Sequence, residues 1–284
     1  MHDEAQSWTV SPHRQSFIKQ LPDLWVRRSL FPFFIRRAIV DLYAQTILGV
    51  LWLVIRPLIM VIAATLVIGT VLGVSTQPVP QLLFSLMSFA PWLVFQRGLI
   101  FGTKSIRRNQ RMMRQFYLPG VIMHVASAGP AVVQGLIVFA CALIAMAYFV
   151  FVTHTWEVRF GWFTLLVIPS VVLIVVLMLA ITMVTSVLNS YARDTQYSIR
   201  YVSSLLMFLS PVFYPLKAVP EHLQLYMQLN PLTPILEMFR WAIFHVDEPN
   251  WSFLALSICW IFLITVFSLW FFIRWEASAL DQRS

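Results

Sequence analysis

The stretch whose spacing comes nearest to known chemistry is Gly98-x-x-x-x-Thr103-Lys104-Ser105. A phosphate loop reads Gly-x4-Gly-Lys-Ser/Thr, and its bare backbone N–H groups wrap a nucleotide's phosphates. Here Thr103 stands at the second glycine, where a side chain blocks that close approach. Lys104 also follows an apolar run, not a strand of a parallel sheet. The spacing is therefore read as coincidence, and any nucleotide hydrolysis is expected in a separate subunit. The six histidines, at positions 2, 13, 124, 154, 222 and 245, show no metal-ligand spacing. His245-x-Asp247 stands alone, as a solvated turn. Cys141 and Cys259 lie in apolar runs and form no disulfide framework. No paired carboxylates fall inside an apolar run, so a proton relay has no obvious members. Glu157, Glu221, Glu237, Asp247 and Glu248 divide between two polar loops, whereas a sugar-transferring enzyme would gather acids at one face. No metal site and no cofactor are expected in this chain.

Composition explains why soluble chemistry is missing. Hydrophobic residues make up 59% of the 284 and charged residues 11%, against roughly 25% charged in ordinary soluble domains. The expected fold is an all-α integral membrane protein. Runs of about 20 apolar residues cross a ~30 Å hydrocarbon core. Six are found, at roughly 47–73, 82–102, 121–152, 162–188, 199–214 and 251–273. The third is long and contains Gly129-Pro130, a place for a tilt or a break. The fifth is the shortest.

Ahead of them, residues 1–46 read as a cytoplasmic tail and an amphipathic interfacial helix, too polar for a cleaved signal peptide. Arg37, Asp41 and Gln45 share one helical face, and Ile35, Ile39 and Leu42 the other. That helix serves as a membrane anchor or also touches a cytoplasmic partner. The domain scheme is then 1–46, a six-span domain over 47–273, and a cytoplasmic tail over 274–284.

Charge asymmetry orients the spans. With the N-terminus inside, fifteen Lys and Arg fall on inside segments and three, Arg159, Lys217 and Arg240, outside. Both termini are therefore expected in the cytoplasm. The same placement accounts for the net charge of +8 without nucleic acid. The most basic loop follows the second run, where Lys104, Arg107, Arg108 and Arg111 share one helical face. Positive-inside anchoring alone explains that charge. Five prolines fall between Pro211 and Pro234. That density forbids one straight span, and the segment is too apolar for a solvated loop. Short re-entrant helices on the outer face, between spans five and six, satisfy both facts.

Three segments carry a resemblance. The first is Tyr43-x-Gln45-Thr46-x-Leu48-Gly49-x-Leu51-Trp52, followed by Arg56-Pro57-Leu58. The second is Asn109-x-x-Met112-Met113-Arg114-x-x-Tyr117-Leu118-Pro119. The third runs from Ser210-Pro211-Val212-Phe213-Tyr214-Pro215 through Leu229-Asn230-Pro231 to Glu237-x-x-Arg240. Together with Arg193-Asp194 they make the chain, from about Arg36 to Ile273, resemble the permeases of polysaccharide-exporting ATP-binding-cassette transporters. Gln115 and His124 depart from that pattern, standing where a basic residue and a proline are expected.

The resemblance implies a homodimeric permease moving lipid-linked polysaccharide, O-antigen before capsule or teichoic acid, across the bacterial inner membrane. It implies two ATPase subunits that bind the ATP and Mg. Coupling to them would fall to Arg36, Arg37, Arg107, Arg108, Asn109, Arg111, Arg193 and Asp194. An outer gate would use Pro211, Pro215, Pro220, Asn230, Pro231, Glu237 and Arg240. Aromatic rings stack on the apolar faces of sugars, so Trp52, Phe89, Trp92, Phe95, Phe213 and Tyr214 are candidates for the substrate path. Arg56 joins them: it lies roughly 14 Å along the helix from Ile47, where a charge costs ~2.5–3.5 kcal/mol unless wet or paired. It either pairs with a carbonyl freed by Pro57 or meets the lipid-linked pyrophosphate. The alternative function is an integral-membrane enzyme acting on a lipid-linked sugar.

Overall fold

The computed structural model describes residues 32, 35–37, 39–40, 47–116, 120–152 and 161–281. Every regular element among them is helical. Helix α1 is Trp52–Thr65 and passes into a π-helical stretch, Leu66–Val71. Helices α2, Gln81–Thr103, and α3, Ser105–Phe116, meet at a corner. Helix α4 is Gly120–Phe151, and a 3-10 turn at Trp162–Leu166 leads into α5, Val167–Tyr191. Then come α6, Asp194–Leu209, α7, Glu221–Gln228, α8, Leu232–Phe244, and α9, Trp251–Asp281.

Five helical segments are long and apolar enough to cross a membrane: Trp52–Val71, Gln81–Thr103, His124–Phe151, Trp162–Tyr191 and Trp251–Glu276. The chain is thus a multi-pass membrane protein. The fifth of the six expected runs, 199–214, takes a different form. It is the 16-residue α6, which starts earlier, at Asp194, and stops at Leu209. Pro211 ends it, because a residue before proline is pushed out of the helical region. Ser210 accordingly adopts φ −102° and ψ 121°. At 1.5 Å per residue α6 reaches only about 24 Å. Of the tilt or break expected at Gly129-Pro130, the break does not occur, since α4 runs through Pro130 as one helix. Helix α9 runs unbroken from Trp251 to Asp281.

Helix α2 is the axis of the molecule. Of its most apolar window 83% is buried, against 11–28% for the other four spans. A helix enclosed by protein can carry polar groups that lipid would penalise, and Ser85 and Ser88 are buried along it. Glycines set how closely its neighbours approach. A Cβ at Gly98 would fall 1.6 Å from Met178 Sδ, and one at Gly102 2.4 Å from Thr182 Cγ2, both on α5. On α4, a Cβ at Gly135 would fall 2.2 Å from Val94 Cγ2 of α2. Small residues that admit a neighbouring helix are the usual means of packing spans, because lipid supplies no hydrophobic drive between them. Helix α1 and helix α6 lie at the edge. Their outward faces carry Ile59, Met60 and Ile62, and Tyr197, Tyr201 and Leu205, all exposed.

Candidate functional site

At one end of the bundle, α2 turns into the strongly amphipathic α3 within a single residue, Lys104. Helix α3 does not hang free. Ile106 is fully buried in a small core with Met183, Val187, Phe272 and Ala279. Arg107 donates to the Asn189 carbonyl at 3.3 Å, and Asn109 Nδ2 to the Ser105 carbonyl at 3.0 Å. Arg108 stays exposed. Arg111 lies on α3 with its side chain outside the described residues, and Tyr117–Pro119 fall outside them altogether. Burial pushes the Lys104 ammonium below its ordinary value, and the like charges of Arg200 and Arg108 push it further. The corner is thus electropositive, and α6 contributes to it through Arg200.

Arg193 and Asp194 sit at the α5–α6 junction, both exposed. Asp194 lies in the first turn of α6, where a negative charge suits the helix dipole. Of the expected interfacial helix, Arg36 and Arg37 are described as helical and exposed. Ile35 beside them nests on α4, so that a Cβ at Gly129 would fall 2.2 Å from its Cγ1. The Tyr43–Thr46 part of the first motif lies outside the described residues.

The proline-rich end is built differently. Asn230 organises it: its Nδ2 donates to Ser210 Oγ at 2.8 Å, and its Oδ1 accepts from the Leu232 N–H at 3.2 Å, opening α8. Gln81 at the start of α2 donates to the Phe213 carbonyl at 2.9 Å, and Tyr214 donates to the Phe208 carbonyl. Pro211 is buried, Pro215 and Pro231 are half-buried, and Pro220 is exposed at the entry to α7.

Helix α8 lies chiefly against α5 and the turn before it, α2 and α9. Glu237 and Arg240 stand three positions apart on α8. Arg240, 6% exposed, donates to the Pro211 carbonyl at 2.5 Å and lies 4.9 Å over the Phe84 ring. Glu237 acts on it only through the field: burial raises the Glu237 carboxyl above its ordinary value, and Arg240 draws it back. A cleft of about 500 Å³ opens beside both, and across it Lys217 pairs with Asp247 at 2.5 Å. The reason is geometric. The Pro211 carbonyl has lost its helical partner, and a guanidinium fits a lone carbonyl and a ring face together.

The aromatic candidates separate into two groups. Phe89, Trp92, Phe95 and Phe213 are 0–3% exposed in the main core, with Phe89 stacked on Phe213 at 5.5 Å. Trp52 and Tyr214 are half-buried, so part of each ring remains at the surface. Arg56 is exposed and lies 4.8 Å over the Trp52 ring. Neither the Gly98–Gly102 contact nor a hydroxyl cluster around His124 was foreseen. The small-x-x-x-small spacing could have revealed the first. Gly69-x-x-x-Gly73 carries the same spacing, yet Gly73 has φ +65° with open space around it and ends the first span.

These features define a helical membrane-transport domain, with a short basic helix docked under its spans and broken helices at the other end. The chain belongs to the ABC-2 type transporter family, whose model matches residues 29–244. It is 24% identical over 249 residues to the O-antigen export system permease protein RfbA of Myxococcus xanthus, covering 85% of this chain and 92% of that one. To the protein of the same name from Klebsiella pneumoniae it is 22% identical over 229 residues, covering 80% and 84%.

Proposed function

We propose that this chain is the permease subunit of an ATP-driven exporter that carries lipid-linked O-antigen polysaccharide from cytoplasm to periplasm across the bacterial inner membrane. It acts as a homodimer with two separate ATPase subunits, which bind ATP and Mg. Both termini lie in the cytoplasm. Helix α6 makes the fifth of six crossings, and α7 and α8 form the re-entrant pair on the outer face. The observation that carries this reading is the near full-length match to two permeases named for O-antigen export. The basic corner supports the coupling role: Arg107, Arg108, Asn109 and Arg111, with Arg36, Arg37, Arg193 and Asp194, meet the ATPase subunits.

The substrate path is narrowed to the groups left at the surface of α1 and after α6, namely Trp52, Arg56 and Tyr214. A second copy covers the exposed faces of α1 and α6. That placement also takes Arg56 out of lipid, where an exposed guanidinium would be costly. The outer gate is the segment from Pro211 to Arg240, held by Asn230 and by Arg240 on the Pro211 carbonyl. Deleting the gene in its own bacterium tests the function. Polymer accumulating inside the cell, relieved by this chain together with a phosphate-loop ATPase, is expected. Normal surface polymer in the deletion strain would refute the export role, and sugar transfer by the purified chain alone would point to the membrane-enzyme reading instead.

A further inference from the structure

Three side-chain rungs join the α2–α3 corner to α5. Thr103 Oγ1 and Thr185 Oγ1 are 2.9 Å apart. His124 Nε2, from the start of α4, lies 2.7 Å from Ser186 Oγ and 3.0 Å from Ser105 Oγ. Arg107 reaches the Asn189 carbonyl at 3.3 Å. Thr103, Ser105, His124 and Ser186 are 0–1% exposed.

Thr103 Oγ1 is also 2.7 Å from the Leu99 carbonyl, and Thr185 Oγ1 3.4 Å from the Thr182 carbonyl. Ser186 also donates to the Met183 carbonyl at 3.0 Å. One ring nitrogen, His124 Nε2, thus meets two buried hydroxyls, and its tautomer sets which partner donates. The imidazole also meets Phe272 of α9 edge-on, with centroids 4.8 Å apart. One side chain thus touches α3, α5 and α9 from α4.

Apolar contact is non-directional, and helices packed by it alone can slide. A buried hydrogen bond resists sliding, because breaking it strands a polar group away from water. We infer that His124 is a positioning residue for energy coupling. It locks the coupling helix α3 to the ends of α5 and α9, so that a push from an ATPase subunit moves those spans as one body. This rests on the permease reading above, and goes beyond it by naming the joint through which motion passes.

The test uses the full complex of permease and ATPase subunits in proteoliposomes, and reads polymer moved per ATP hydrolysed. In His124→Leu the complex should still assemble and hydrolyse ATP. The transport-to-hydrolysis ratio should fall by about 2- to 30-fold, the span over which residues along coupling networks act. His124→Gln, whose amide offers both a donor and an acceptor at a similar reach, should restore much of the ratio. A purely structural role would lower transport and hydrolysis together, leaving the ratio at the parental value, and that result would overturn the inference. Should His124→Leu fail to assemble, Ser186→Ala carries the test, since it removes one hydrogen-bond partner and little volume. A parental ratio in Ser186→Ala would likewise overturn it. A parent complex that hydrolyses ATP but moves no polymer would refute the permease reading itself, a result distinct from either.

Discussion

Replacing Gly102 by alanine adds one methyl group where α2 meets α5. The new Cβ would lie 2.4 Å from Thr182 Cγ2 and 2.6 Å from Thr182 Cβ. Carbon atoms rest about 3.5 Å or more apart, so the two helices must part by about 1 Å. Thr182 cannot swing away, because its β-branched side chain is stiff and its hydroxyl donates to the Leu179 carbonyl at 2.9 Å. Gly98 differs, since the atom in the way is Met178 Sδ, on a flexible chain. Overpacking of this kind costs about 1–3 kcal/mol. At roughly 2–4 °C per kcal/mol for a chain near this size, Gly102→Ala should melt about 2–12 °C below the parent. The assay is thermal unfolding of the detergent-purified protein, followed by tryptophan fluorescence. Gly98→Ala should lose less. In the size swap Gly102→Ala/Thr182→Gly, the obstructing Cβ and Cγ2 are both gone, and part of the loss should return. Gly102→Ala melting with the parent, or the swap melting lower than the single variant, would refute the close-contact argument.

A reporter active only outside the cytoplasm should be silent at residue 110 and active at 156 and 232; activity at 110 would break the orientation. Reversing Arg107, Arg108 and Arg111 to Glu should leave the protein inserted but weaken co-purification with its ATPase, and an unchanged complex would return α3 to a lipid anchor. Arg240→Ala should lower stability by about 1.5–3 kcal/mol, the worth of a hydrogen bond to a charged group. Glu237→Ala should lower it less, because no direct bond joins the two; equal losses in the melting assay would contradict that. Arg56→Leu should abolish export while Arg56→Lys retains it, and normal export by Arg56→Leu would remove the substrate role.

Hydropathy and charge made the membrane fold legible. Period and length located the five long spans, and the prolines between Pro211 and Pro234 announced broken helices. Length failed at α6, because an apolar run does not reveal where Ser210-Pro211 ends the helix, or that it begins among the polar residues after Arg193. Side-chain partners were less legible. Glu237 and Arg240 have helical spacing, yet a carbonyl freed by the fold at Pro211 outbid the carboxylate, and such a carbonyl is invisible in a sequence. Phe89, Trp92 and Phe95 look like ligand-stacking rings by residue type. Their burial follows from α2 being the enclosed helix, which depends on the glycines of its neighbours. His124 stood out only as a departure from the family pattern, since its serine partners lie 19 and 62 positions away.

The central claim is best tested by reconstituting this chain with its ATPase subunit in sealed vesicles loaded on one side with lipid-linked polysaccharide. ATP should bring the glycan to the opposite face, where an impermeant lectin or glycosidase detects it. Omitting ATP, or inactivating the phosphate-loop lysine of the ATPase subunit, should abolish the signal. Glycan that stays on the loading side with ATP and both subunits present, or that crosses equally well without the ATPase, would contradict the account.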